Sequence, residues 1–131
     1  MIPRVSIILP VLNECELISS ALSHLSTLGA EELLVVDGGS QDGTQKAVAA
    51  HPQARLLETA SGRARQMNAG AQAAQGEVLL FAHVDVRFPV GALCSIQEQI
   101  HRGCVGGGFF KRYVPANGLL RLCAWGLNHL L

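Results

Sequence analysis

Aromatic residues make up only 5% of the sequence and charged residues 15%, and ten basic side chains balance ten acidic ones to a formal net charge of +0. The poverty in rings leaves a core of Leu, Val, Ile and Ala. The missing net charge argues against a surface that gathers nucleic acid or acidic lipid by bulk attraction, so any anion must be bound locally. The four cysteines, Cys15, Cys94, Cys104 and Cys123, form no Cys-x-x-Cys pair. They read as reduced packing thiols, which points to a cytosolic setting.

Other absences exclude whole classes. The first strand is not followed by Gly-x-Gly-x-x-Gly, and no Gly-x4-Gly-Lys-Ser/Thr occurs, which removes dinucleotide-dependent oxidoreductases and P-loop NTPases. The glycine-rich basic loop that a sugar nucleotidyltransferase would place after its first strand is missing too. Val5 to Leu12 is apolar but is interrupted by Pro10 and runs into polar Asn13 and Glu14. It reads as a buried strand rather than a signal peptide. The apolar tail from Leu119 to Leu131 falls short of the ~20 residues that a bilayer-crossing helix requires.

What is present is an alternation of short aliphatic runs and helical patterns in 131 residues, read as one nucleotide-binding domain. Residues 4–9, 32–37, 54–58 and 78–82 read as strands. A fifth extended segment is expected near Cys104 to Tyr113, followed by a turn at Asn117 and Gly118. The first helix is expected over Glu14 to Leu28, from the spacing of Leu17, Ile18, Ala21, Leu22, Leu25 and Leu28, with a left-handed Gly29 after it. A second follows Asp42 to Thr44, capped by Asp or Ser. A third is capped by Ser61, with Ala64, Met67, Ala71 and Ala74 on its apolar face; a fourth opens at Pro89 and ends at Gly103. Strands alternating with helices at this spacing predict an α/β fold with a doubly wound, mainly parallel sheet and right-handed crossovers.

Ligands of such sheets bind beyond the carboxyl ends of the strands. Those positions carry Asn13 and Glu14, Asp37, Arg63 and Arg65, and His83 and Asp85. Each has a plainer reading. Asn13 and Glu14 suit a helix start, and Asp37 to Thr44 suits a turn built for backbone geometry. The arginines are harder to dismiss, because cations in the first turn of a helix oppose its dipole unless an anion compensates. His83 and Asp85, two residues apart at the end of an apolar strand, are expected to project the same way and to suit Mn²⁺, or Mg²⁺ held mainly by Asp85. A backbone-bonded His83 is the competing view.

Four segments in order, Pro10-Val-Leu-Asn-Glu14, Val36-Asp-Gly-Gly-Ser-Gln-Asp-Gly-Thr44, Gly62-Arg-Ala-Arg-Gln-Met-Asn-Ala-Gly70 and Phe81-Ala-His-Val-Asp85, resemble glycosyltransferase family 2, the inverting enzymes of the GT-A fold. The Gly-Arg-x-x-Gln-Met-Asn-x-Gly segment and the His-x-Asp pair are most similar to its radical-SAM/selenodomain-associated transferases, some linked to arsenosugar biosynthesis. The resemblance implies transfer of a sugar, with inversion, from a nucleoside-diphosphate sugar, a UDP-sugar being favoured, to an acceptor hydroxyl. It assigns nucleotide contacts to Pro10, Leu12, Asn13, Glu14, Asp37, Gly38, Gly62, Arg63, Arg65, Asn68 and His83. Within that set, Pro10 to Glu14 would line the nucleoside with Glu14 near the ribose or base, Asp37 would accept a hydrogen bond from the base, and Arg65 with Asn68 would contact the nucleotide or its phosphates. Asp85, the last position of the family's Asp-x-Asp motif, would hold a divalent cation, Mn²⁺ or Mg²⁺.

Two departures stand out. His83 replaces the first Asp of that motif, and Glu98 is the only carboxylate after Asp85, whereas the family places its general base later. The chain is therefore expected to be a truncated donor-binding portion, weakly active or inactive alone. The alternative is a non-enzymatic nucleotide-sugar-binding module or a fragment needing a partner chain. The tail with Trp125 is expected to form an apolar helix packing on a missing half or driving self-association. A peripheral membrane contact is its less favoured use.

Overall fold

The computed structural model describes residues 1–111. The elements are β1 (Val5–Val11), α1 (Ile18–Ser26), β2 (Glu32–Asp37), α2 (Thr44–Ala49), β3 (Ala54–Glu58), α3 (Arg63–Ala73), β4 (Val78–Phe81) and α4 (Ala92–His101). The strands pair in parallel in the order β3-β2-β1-β4. This is the α/β, parallel architecture expected from the alternation of aliphatic runs and helical patterns.

The central strands are mainly aliphatic because both of their faces are covered. On one face Ile7 and Leu9 of β1 and Val35 of β2 pack with Ile18, Leu22 and Leu25 of α1. On the other, Ile8, Leu34 and Val36 meet Ala69, Ala71 and Ala73 of α3. Each fully buried Leu, Ile or Val contributes about 1.5–3 kcal/mol relative to exposure. The two layers differ in thickness. α1 brings large side chains, whereas α3 comes close: a Cβ on Gly70 would stand 2.5 Å from Ile8 Cγ2 and 3.1 Å from Val36 Cγ2.

That close approach changes the face expected of α3. Its buried residues are Gln66 and Gly70; of the expected face Ala71 and Ala74 do pack against the sheet, while Ala64 is exposed. The helix is oriented first by where it can approach the sheet. Helix starts also shift. α1 begins at Ile18 after a turn in which the Leu17 and Ile18 amides donate to the Glu14 carbonyl at 3.1 and 2.9 Å. α2 and α3 are preceded by Gly43 and Gly62 rather than by a capping Asp or Ser. Gly103, at φ +94°, does close α4: its amide donates to Ile100 O (2.9 Å) and that of Cys104 to Gln99 O (3.0 Å), the paired bonds of a left-handed helix end.

The fifth strand is not formed over 104–111. These residues join no ladder, and Val105 and Phe110 are fully exposed. Gly106, Gly107 and Gly108 interrupt the segment, and an extended conformation gains little there without side chains to pack. The turn at Asn117 and Gly118 and the apolar tail with Trp125 lie outside the described residues. Among the described residues no helix is long and apolar enough to cross a membrane.

Candidate functional site

The chain order reverses at β1, which pairs with β2 on one side and β4 on the other. Loops leaving β1 and β4 diverge there, and the crevice between them is where open α/β sheets take ligands. A cleft of about 1440 Å³ opens at this point, bordered by Pro10 near the end of β1, Leu12 and Glu14 after it, Gly62 and Arg63 at the start of α3, and His83 and Asp85 after β4. Of the sequence-derived candidates, these seven are brought to one cavity.

Across the cleft the Arg63 guanidinium rests against the His83 imidazole, with Nη2 2.6 Å from Nδ1. Burial lowers the His83 pKa, and Arg63 and Lys111 lower it further against the opposing pull of Asp85. The ring is therefore neutral at pH 7, and a neutral imidazole carries a nitrogen lone pair that can accept a hydrogen bond, as from Arg63 here, or ligate a metal. His83 and Asp85 do not extend the strand as expected: β4 ends at Phe81, and His83 to Val86 form a turn in which the Val86 amide donates to His83 O at 3.2 Å. The alternation rule that would align their side chains stops with the strand.

Next to the site, which only Glu14 of this group borders, the β1–α1 and β2–α2 loops are locked together. Asn13, at φ +53°, donates its amide to Ser40 Oγ (2.8 Å) and accepts from the Gln41 amide on Oδ1 (2.9 Å). The Glu14 amide donates to Thr44 Oγ1 (2.9 Å) and that of Cys15 to Asp42 Oδ2 (3.1 Å). Asp42 also accepts from the Thr44 amide (3.0 Å) and hydroxyl (2.5 Å). The Thr44 hydroxyl, foremost among these donors, holds Asp42 well below the usual carboxylate range. Asn13 is thus a structural clasp, and its side chain does not border the cleft.

Asp37, expected to meet the base, is fully buried at the end of β2. Burial alone would raise its pKa, but donation by Ser40 Oγ, the Gln45 side chain and the amides of Ser40 and Gly39 outweighs this and lowers it. Its oxygens are spent on its own turn. Gly38 leaves room for a neighbour, since a Cβ there would stand 2.9 Å from the Gln66 side chain.

Arg65 and Asn68 are exposed and do not border the cleft. A helix turns about 100° per residue, so Arg63 and Arg65 point to nearly opposite sides and only one can face the cavity. Arg65 instead reaches back to the Ser61 carbonyl at 3.4 Å.

Among the described residues no three His, Cys, Asp or Glu side chains gather. The donor set at the cleft is an exposed Asp85 carboxylate beside the neutral His83 imidazole. It suits a divalent cation that completes its shell with a ligand's own oxygens.

The sequence model of glycosyl transferase family 2 matches residues 6–121. The chain belongs to this family. Among solved structures the family fold recurs in glucosyl-3-phosphoglycerate synthase from Mycobacterium tuberculosis in complex with Mn²⁺, uridine diphosphate and glucosyl-3-phosphoglycerate. It is 27% identical with a TM-score of 0.60, over 67% of this chain and 36% of that one. The same synthase with Mg²⁺ and uridine diphosphate gives the same identity and score over 35% of its chain. A mycobacterial protein, 24% identical, shares the fold over 81% of this chain and 38% of its own, with a TM-score of 0.62. The chain therefore spans little more than a third of the length of these proteins. A search of curated proteins finds no match.

Ser40, Asp42 and Thr44 build the turn that the run of Asx and hydroxyl residues after Asp37 signals, while the bond from Gln45 to Asp37 has no signal in the sequence. Nor has the burial of Gln66, a polar residue in a helical pattern.

Proposed function

We propose that the chain forms the donor-binding portion of an inverting glycosyltransferase that takes a nucleoside-diphosphate sugar, a UDP-sugar being favoured, together with Mn²⁺ or Mg²⁺. The observation that carries this reading is the convergence of Glu14, Arg63, His83 and Asp85 on one cleft at the reversal of strand order. Arg63 stands in the first turn of α3, where its charge opposes the helix dipole, and a bound diphosphate would compensate both. Asp85, with His83 beside it, would hold the cation. When bound, that cation stabilises the negative charge that develops on the diphosphate as the anomeric bond breaks. The complexes of the mycobacterial synthase with uridine diphosphate and Mn²⁺ or Mg²⁺ support the ligand class. Within the family, the Gly62 to Gly70 segment and the His83-x-Asp85 pair support the radical-SAM-associated subgroup.

An inverting transfer also needs a base for the acceptor hydroxyl, a contribution of about 10² to 10⁴ in rate. Glu98, the sole carboxylate after Asp85, is exposed on α4, pairs with Arg102 at 3.4 Å and does not border the cleft. This chain by itself accordingly binds donor and transfers sugar weakly. The test is a thermal-shift titration with nucleoside diphosphates and their sugars, with Mn²⁺ or Mg²⁺, followed by assays of transfer and donor hydrolysis. A melting temperature that rises with nucleoside diphosphate by mass action supports the reading. No rise with any of them overturns it.

A further inference from the structure

Gln66 is only 4% exposed, yet it carries a primary amide into the apolar face of α3. Its Nε2 donates to two carbonyl oxygens, Val11 O at the end of β1 and Val36 O near the end of β2, each at 2.8 Å. Its Oε1 accepts from the Gly62 amide at 3.4 Å, immediately before Arg63. Gly38 keeps the space this amide occupies. One side chain thus ties the ends of two strands to the first turn of a helix.

Apart from the close approach of Gly70 to Ile8 and Val36, little else in α3 sets its position along the sheet. Its other apolar contacts are alanines against Ile8, Leu34 and Val36, short side chains that hold it only loosely. A slip of one residue moves a helix by about 1.5 Å and turns it by about 100°, enough to swing Arg63 away from His83. A hydrogen bond to two fixed carbonyls has no such freedom, because distance and angle must both be kept.

We propose that Gln66 is the positioning residue of the donor cleft, fixing α3 against the ends of β1 and β2 so that Arg63 meets the diphosphate opposite His83. This rests on the reading of the cleft as a diphosphate site. Gln66 itself borders the cleft, but its amide is engaged by Val11 O, Val36 O and the Gly62 amide, so it acts through Arg63 rather than by contact with the nucleotide.

The test is calorimetric titration of UDP with Mn²⁺ into the full chain and its Gln66→Glu, Gln66→Met, Arg63→Ala and combined Gln66→Glu, Arg63→Ala variants. Leu25→Ala, in the core on the opposite face of the sheet, controls for lost stability. Either Gln66 substitution is expected to weaken UDP binding about tenfold, with the control within about twofold of the parent. The two losses are expected not to add: once Arg63 is alanine, Gln66→Glu changes affinity by no more than about twofold. Full additivity, an unchanged affinity, or an equal loss in Leu25→Ala overturns the proposal. A parent chain that fails to bind UDP overturns the diphosphate reading itself, whereas normal binding by the Gln66 variants removes only this inference.

Discussion

Arg63 and His83 face each other across the point where strand order reverses, guanidinium Nη2 against imidazole Nδ1 at 2.6 Å. A cation at the start of a helix, beside an imidazole held neutral, is an arrangement that an anion would stabilise, and among the described residues Arg63 makes no ion pair.

Arg63→Ala is therefore expected to weaken UDP binding by about ten- to a hundredfold, the loss of one charge-assisted contact. Protein stability should hold within about 0.5 kcal/mol, because removing a cation from the first turn relieves the dipole. Calorimetric titration and urea denaturation measure the two effects separately.

Asp85→Asn removes the anionic ligand but keeps shape. Nucleotide binding should then lose its dependence on Mn²⁺ or Mg²⁺, so that affinities measured with metal and with chelator converge. A variant that still responds to metal as the parent does would take Asp85 out of the cation site.

Asp37→Ala tests a turn rather than a ligand contact. It strips the acceptor from Ser40 Oγ, the Gln45 amide and two backbone amides, and is expected to cost about 2–3 kcal/mol of stability. Where the variant remains folded, metal-dependent UDP binding should persist; its complete loss there would return Asp37 to the nucleotide.

Stability should fall as pH is lowered. His24 accepts the Phe88 amide on Nε2 at 2.9 Å, and burial, with Arg87 adding to it, lowers its pKa. A depressed folded value means that the unfolded chain takes up the proton first. The stabilisation is complete above the ordinary histidine value of about 6.5 and is lost as pH falls through the folded one. His83 shifts in the same direction. Urea midpoints at pH 5.5 and 7.5 should differ in this sense, and His24→Gln should reduce the difference.

Much of the fold was legible because its signals are local. Aliphatic runs ending in polar residues placed β2 and β3 at their observed limits, and Gly29 and Gly103 do take left-handed backbone. The expected fifth strand failed because a strand is made by its neighbour, and residues 104–111 have none in the described structure.

The sequence by itself determined the alternation of strand and helix, and hence that Glu14, Arg63, His83 and Asp85 would lie at one edge of a parallel sheet. Tertiary structure alone decided which of the candidates border the cleft. Rotation of α3 about its axis selected Arg63 over Arg65, and that rotation is set by Gly70 against Ile8 and by Gln66 against Val11 and Val36. Hydrogen bonds to the β2–α2 loop occupy Asn13, and those from its own turn and from Gln45 of α2 occupy Asp37. Residue type and spacing report what a side chain can do; only its neighbours, distant in the chain, decide whether its hydrogen bonds are already taken.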